Sequence, residues 1–165
     1  MPKSLKKLSQ KSKIIILIVA FLAIVAGGFF FICAVAGWFD QPQTITLDLE
    51  YQGTSESYVI DAETYEQMVS EQKSFILIAY LPTCTADIIK YMQDYSMQHN
   101  IAYFYLNWSN LRETSLKDVV DFSPSVILVS NGQPIAHLRA DSNDDIEKYN
   151  NQDAFNAWLD SYITF

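Results

Sequence analysis

Cysteine is scarce in this chain: 165 residues contain two, Cys33 and Cys84. So low a count excludes a disulfide scaffold and a cysteine-rich metal site. Neither cysteine has a second one three positions away, so no Cys-x-x-Cys dithiol exists. Glycine is scarce too, and no glycine-rich loop is present to cradle phosphate. The two histidines, His99 and His137, have no metal-ligand spacing to each other or to Cys84. Asp141, Asp144 and Asp145 lack the glycine and terminal glutamate of a calcium loop. The residues therefore imply neither a metal nor a cofactor. Beyond position 39, positive charge is nearly missing. Five of the 11 Lys and Arg residues precede position 14, which leaves 11 − 5 = 6 against all 19 acidic residues, a net of −13. A surface of that sign argues against nucleic acid or anionic lipid as the ligand of this part.

Apolar residues, by contrast, are plentiful. From Ile14 to Phe39 there are 26 consecutive uncharged residues, ample to cross a hydrocarbon core of about 30 Å. Lys3, Lys6, Lys7, Lys11 and Lys13 precede the run, and the first acidic residue is Asp40 beyond it. The positive-inside rule then predicts a cytoplasmic N-terminus, a single-pass span and an extracytoplasmic C-terminal part. Two readings of the run are open. A cleaved leader would use Ala34-Val-Ala36 as its small-residue site, but its apolar region is usually about 7–15 residues long. The greater length favours an uncleaved signal anchor, with Cys33 as a span residue facing lipid.

Residues 40–57 read as an added strand and turn. Ile45, Leu47, Leu49 and Tyr51 alternate with polar residues at the period of a half-buried strand. Gln52 to Ser57 is turn material, and Tyr58 to Ile60 a short strand. Asp61 is placed to cap a helix carrying Tyr65, Met68 and Val69 on one face. Phe75 to Tyr80 is a continuous apolar strand of the kind covered on both faces. A helix follows from Asp87 with Ile88, Met92 and Tyr95 inward, then a strand over 101–106, a loop over 107–110 and a short helix over 115–122 burying Leu116, Val119 and Val120. Ser125 to Val129 is the next strand, Asn131-Gly132 a hairpin turn, and 135–140 its antiparallel return. The polar stretch 141–151 reads as loop, and Phe155, Trp158, Leu159 and Tyr162 line a closing helix.

Cys84 thus sits between an apolar strand and a helix, and Pro124 opens a later strand in Asp121-Phe-Ser-Pro-Ser-Val-Ile-Leu-Val-Ser-Asn-Gly132. A thiol at a strand-to-helix junction, followed by such a proline strand and hairpin, resembles the thioredoxin family. The resemblance runs over residues 58–165, after a tail at 1–13, the span at 14–39 and the added segment at 40–57. In layout the chain is also similar to small exported thioredoxin-like proteins of bacteria, among them the bacteriocin transport accessory proteins. The implied fold is α/β, a central mixed sheet with helices on both faces.

The resemblance makes Cys84 the candidate nucleophile and places Asp87 at the position of the resolving cysteine. Pro124 matches the proline that faces the thiol, with a cis Ser123–Pro124 bond. Tyr80, Thr83, Thr85, Ser123 and Pro124 become the candidate binding surface. The departures are chemical. Asp87 cannot resolve a mixed disulfide, and its charge opposes thiolate formation at Cys84. The strand acid of the family falls at Ile78, and the aromatic before the cysteine is Thr83, with Tyr80 three residues further back. Two functions fit. One is an accessory module that binds an exported or envelope protein or peptide without dithiol activity. The other is a monothiol exchange factor working through Cys84.

Overall fold

The computed structural model describes residues 43–83 and 86–165. The chain divides into two compact units, Met1–Gln41 and Pro42–Phe165, and all described residues fall in the second. The expected tail at 1–13 and span at 14–39 lie outside them. Among the described residues no helix is long and apolar enough to cross a membrane.

Five strands form one mixed sheet: β1 (Ser57–Ile60), β2 (Phe75–Tyr80), β3 (Tyr103–Asn107), β4 (Ser125–Ser130) and β5 (Gln133–His137). Their order across the sheet is β1-β3-β2-β4-β5. β1 and β2 flank β3 in parallel, and β4 runs antiparallel to both β2 and β5. Helix α1 (Ala62–Ser70) connects β1 to β2, and α2 (Asp87–His99) connects β2 to β3. A single turn, α3 (Trp108–Leu111), and a 3-10 turn over Ser115–Asp118 lead to β4. Two C-terminal helices, α4 (Ile146–Asn150) and α5 (Gln152–Tyr162), complete the domain.

The period of two along the central strands creates two cores. Ile76 and Ile78 of β2, with Val126 and Leu128 of β4, meet Ile88, Met92 and Tyr95 of α2 and Phe155 and Leu159 of α5. Leu77 and Ala79, with Ile127 and Val129, face Tyr65 and Met68 of α1 and Leu111, Leu116 and Val120. β2 therefore reads as an unbroken apolar run because both of its faces are covered. Each such side chain contributes about 1.5–3 kcal/mol through burial.

Local chemistry sets the ends of these elements. Asp61 accepts from the Thr64 amide at 2.9 Å, the N-cap bond its position foretold. Asn100, at φ +52°, ends α2 in the left-handed conformation. Asn131 and Gly132 have φ of +49° and +72°, the two positive values a tight hairpin turn requires.

Four segments depart from the pattern read in the sequence. Residues 45–51 do not form a strand. Among the described residues Ile45 bridges only Ile163, and the chain then turns at Asp48, whose amide donates to the Ser74 carbonyl while its carboxylate accepts from the Ser74 amide. Lys73 adds ion pairs to Asp48 and Glu50. A 3-10 turn follows at Leu49–Tyr51, which leaves Leu49 85% exposed despite its place in the alternation. Ile45 and Leu47 remain in the core. Residues 107–110 are not loop: Asn107 accepts from the Ser109 amide and starts α3. The helix expected over 115–122 is one 3-10 turn, so Val119 rotates to the surface while Leu116 and Val120 stay buried. Finally, 141–151 holds α4, folded around the buried Tyr149. Smaller shifts place β3 at 103–107 and β5 at 133–137.

Candidate functional site

Antiparallel pairing of β2 with β4 brings Tyr80 and Pro124 to one end of the sheet. Ala79 pairs with Ser125, so Tyr80, where β2 ends, and Pro124, just ahead of β4, occupy the next positions on adjacent strands. The Ser123–Pro124 peptide bond is cis, as the resemblance implied. Pro124 is buried, Ser123 half-buried and Thr83 exposed. Asp87 is the exposed first residue of α2. Cys84 and Thr85 lie outside the described residues.

The start of α2 has an unusual chemical character. Its N-cap is Ala86, which has no side-chain acceptor, and the Ile89 amide turns back to the Ala86 carbonyl at 3.2 Å. Asp87 provides the one acidic side chain of that turn. Unpaired amides and the helix dipole favour an anion there.

The proline loop is anchored from behind. The Tyr149 hydroxyl donates to the Pro124 carbonyl at 2.7 Å and also lies 3.0 Å from that of Leu138. Ser125 donates to the same Leu138 carbonyl at 2.6 Å. The Ser123 hydroxyl oxygen is buried with no hydrogen-bond partner among the described residues. On the outer side Phe122 is 38% exposed and lies beneath Arg139, whose guanidinium carbon is 5.9 Å from the ring centroid. Asp141 holds that guanidinium by two hydrogen bonds of 3.1 and 2.9 Å. His137, close by on β5, has its pKa lowered by burial and then by the Arg139 charge, against the opposing pull of Asp145 and Asp121.

A second feature lies beside Tyr80 and Pro82. Val59, Tyr80, Pro82, Ile89 and Tyr105 line a groove of about 280 Å³. The rings of Tyr80 and Tyr105 meet edge to face at 5.2 Å, and the Tyr105 hydroxyl lies 3.2 Å from that of Tyr103. Burial, followed by the bond to Tyr103, raises the Tyr105 pKa, so it stays a neutral phenol.

Of these residues, the sequence pointed to Tyr80, Ser123 and Pro124 but not to Tyr149, Arg139 or Val59. Tyr149 offered one signal: a lone aromatic three residues after Ile146 in an otherwise polar stretch. Val59 offered none. The His99 ring packs on Tyr95 at 4.3 Å and on Phe165 at 4.6 Å. Among the described residues no group of three His, Cys, Asp or Glu side chains could hold a metal ion.

The chain matches no protein-family model and no curated relative. Solved structures similar to it include thioredoxins. Spinach chloroplast thioredoxin F is 11% identical with a TM-score of 0.48, covering 66% of this chain and 88% of its own. A mutant thioredoxin from Halobacterium salinarum is 12% identical with a TM-score of 0.47, over 68% and 96%. The oxidised mitochondrial thioredoxin of Saccharomyces cerevisiae is 11% identical with a TM-score of 0.47, over 64% and 94%. With its strand order, helices on both faces, and Pro124 set beside the end of β2, the domain has a thioredoxin-like fold.

Proposed function

We propose that this is a membrane-anchored, extracytoplasmic thioredoxin-like accessory protein that binds an exported or envelope protein or peptide without dithiol activity. The observation that carries this reading is a retained proline loop beside a lost resolving thiol. Pro124 is pinned at the head of β4 next to the end of β2, while Asp87 opens α2 where a second cysteine would complete the dithiol. Exposed Leu81 and Phe122, at 43% and 38%, give the same end of the sheet an apolar surface. Residues 14–39 would supply the anchor and the tail at 1–13 its cytoplasmic end.

Two measurements test it. In an insulin-reduction assay with dithiothreitol, the protein should add nothing to the reductant alone; acceleration like that of a dithiol thioredoxin would reject the reading. A photo-crosslinking residue at Phe122 should give protein adducts in cells that the same residue at Gln133, at the opposite end of β5, does not. Equal adducts from both positions would also reject it.

A second reading, monothiol exchange, has one observation in its favour: the N-cap of α2, two residues after Cys84, is Ala86, which has no side-chain acceptor for the first-turn amides. In that reaction the Cys84 thiolate attacks a partner disulfide, forms a mixed disulfide and releases the partner's other sulfur as thiolate. An external thiolate then attacks the mixed disulfide and returns Cys84 as thiolate. Iodoacetamide rates against pH, in a Cys33→Ser background, decide this. Alkylation that stays fast well below the ordinary thiol pKa of about 8.5 supports exchange, and slow alkylation removes it.

A further inference from the structure

Among the described residues the sheet has two open edges, and they are protected unequally. β5 carries Pro134, which has no amide to offer, and its pairing with β4 is broken by a register shift at Leu128/Val129. Both are devices that block addition of a further strand. β1 has neither. Its sequence is Ser57-Tyr58-Val59-Ile60, without proline or lysine, and among the described residues β3 is its only neighbour.

The hydrogen-bond ladder shows which groups β1 leaves open. The Tyr103 amide donates to the Glu56 carbonyl at 3.2 Å, and Ser57 and Tyr103 are register partners. In a parallel ladder alternate residues point to the same side. Glu56, Tyr58 and Ile60 therefore bond toward β3, while the amides and carbonyls of Ser57 and Val59 face the open edge. The side chains reinforce this. Val59 shares a face with its register partner Tyr105, but the α2–α5 layer does not cover it, and it remains 72% exposed. The groove lined by Val59, Tyr105, Tyr80, Pro82 and Ile89 opens beside it. At about 280 Å³ it falls below the ~300–1,000 Å³ of clefts that take a drug-sized ligand, and it suits one apolar side chain.

Charge narrows the occupant further. Glu56 and Asp61 bracket β1 in sequence, Asp87 stands two residues from Ile89, and residues from 40 onward carry 6 − 19 = −13. A second copy of the chain, bearing the same charge, would be repelled. We propose that the open edge of β1 binds an extended segment of a partner protein, with an apolar side chain in the groove and Lys or Arg on its flanks. Main-chain bonds to Ser57 and Val59 supply affinity, the groove selects the side chain, and the acidic flanks select charge. This inference deepens the peptide-binding reading and rests on it.

The test uses the full 165-residue chain in mild detergent and a fluorescent peptide, Lys-Thr-Val-Thr-Phe-Thr-Val-Lys, read by anisotropy. A control peptide carries Glu in place of both Lys. Val59→Pro removes an outward amide and no ladder bond to β3; Val59→Lys alters an exposed side chain and serves if the proline variant fails to fold. We expect the lysine peptide to bind, the glutamate peptide to bind at least about tenfold more weakly, and each variant to lose about tenfold, while Gln133→Ala, on the opposite edge strand, binds as the parent does. Equal binding of both peptides, or unchanged binding by Val59→Lys, overturns the proposal. So does a dimer, seen by sedimentation, that Val59→Lys dissociates, because the edge then takes a second copy. Binding lost in Phe122→Ser but unchanged in Val59→Lys would remove this inference and leave the proline-loop reading intact.

Discussion

The Tyr149 hydroxyl is 2.7 Å from the carbonyl oxygen of Pro124, across 25 residues of chain. The bond ties the most polar stretch of the domain to the loop that heads β4. Tyr149 is buried, so removal of its hydroxyl leaves the Pro124 carbonyl desolvated without its donor; the Leu138 carbonyl still has Ser125.

Tyr149→Phe should therefore lower stability by about 1–2 kcal/mol, measured by equilibrium urea unfolding. Amide hydrogen exchange at Phe122 and Ser123 should quicken more than at Val129. Unchanged exchange at those two amides would show that the loop is held by other contacts.

Gly132 lies at the far end of β4. Its φ is +72°, and a Cβ there would overlap the Val69 carbonyl oxygen at the end of α1. Gly132→Ala then combines a disfavoured dihedral with a clash against backbone, which cannot swing aside as a side chain would. A loss of about 2 kcal/mol or more is expected. Gly53, at φ +81° with nothing within 4 Å, is the contrast: the same change there should cost about 1 kcal/mol.

His137 gives a pH dependence with a definite sign. Burial, then Arg139, lowers its pKa below the ordinary value of 6.5. The folded state thus binds fewer protons than the unfolded one between the two pKa values, and stability rises with pH across that window. The contribution is complete above about pH 6.5 and is lost as pH falls through the folded pKa. The melting temperature should drop from pH 7.5 to pH 5.5, and His137→Gln should flatten that part of the profile. Asp61 and Asp141, held below their ordinary values by hydrogen bonds from Thr64 and Arg139, act only at lower pH.

Topology is testable without the purified protein. The lysines at 3, 6, 7, 11 and 13 and Asp40 on the other flank of the apolar run lead us to expect that protease added to spheroplasts will digest the acidic domain and spare the N-terminal tail. Protection of the domain until lysis would reverse the orientation.

The central strands were legible in the sequence because burial on both faces leaves an uninterrupted apolar run: β2 occupies the expected positions 75–80. The hairpin turn was legible through Asn131-Gly132, which few other dipeptides replace. Residues 45–51 misled because alternation records which side chains could be buried, not whether a strand partner exists. Here the Asp48, Lys73 and Ser74 contacts turn the chain before one is reached. The Pro124 loop could be found by its motif, but its anchor Tyr149 could not, since a single aromatic residue carries no period. The groove at β1 was invisible for a related reason. Val59 looks like core in a row of apolar residues, and only the limited reach of the helical layer leaves it in water.

β4 is held at both ends by unrelated devices, a missing side chain at Gly132 against α1 and a phenol at Pro124. A strand fixed at one end can slip by a residue, and a slip would exchange Val126 and Leu128 with Ile127 and Val129 between opposite faces of the sheet. Clamping both ends forbids that exchange, so the location of Pro124 is a property of strand alignment rather than of loop conformation. Substitutions at the start of α2 can then be accepted without moving the proline.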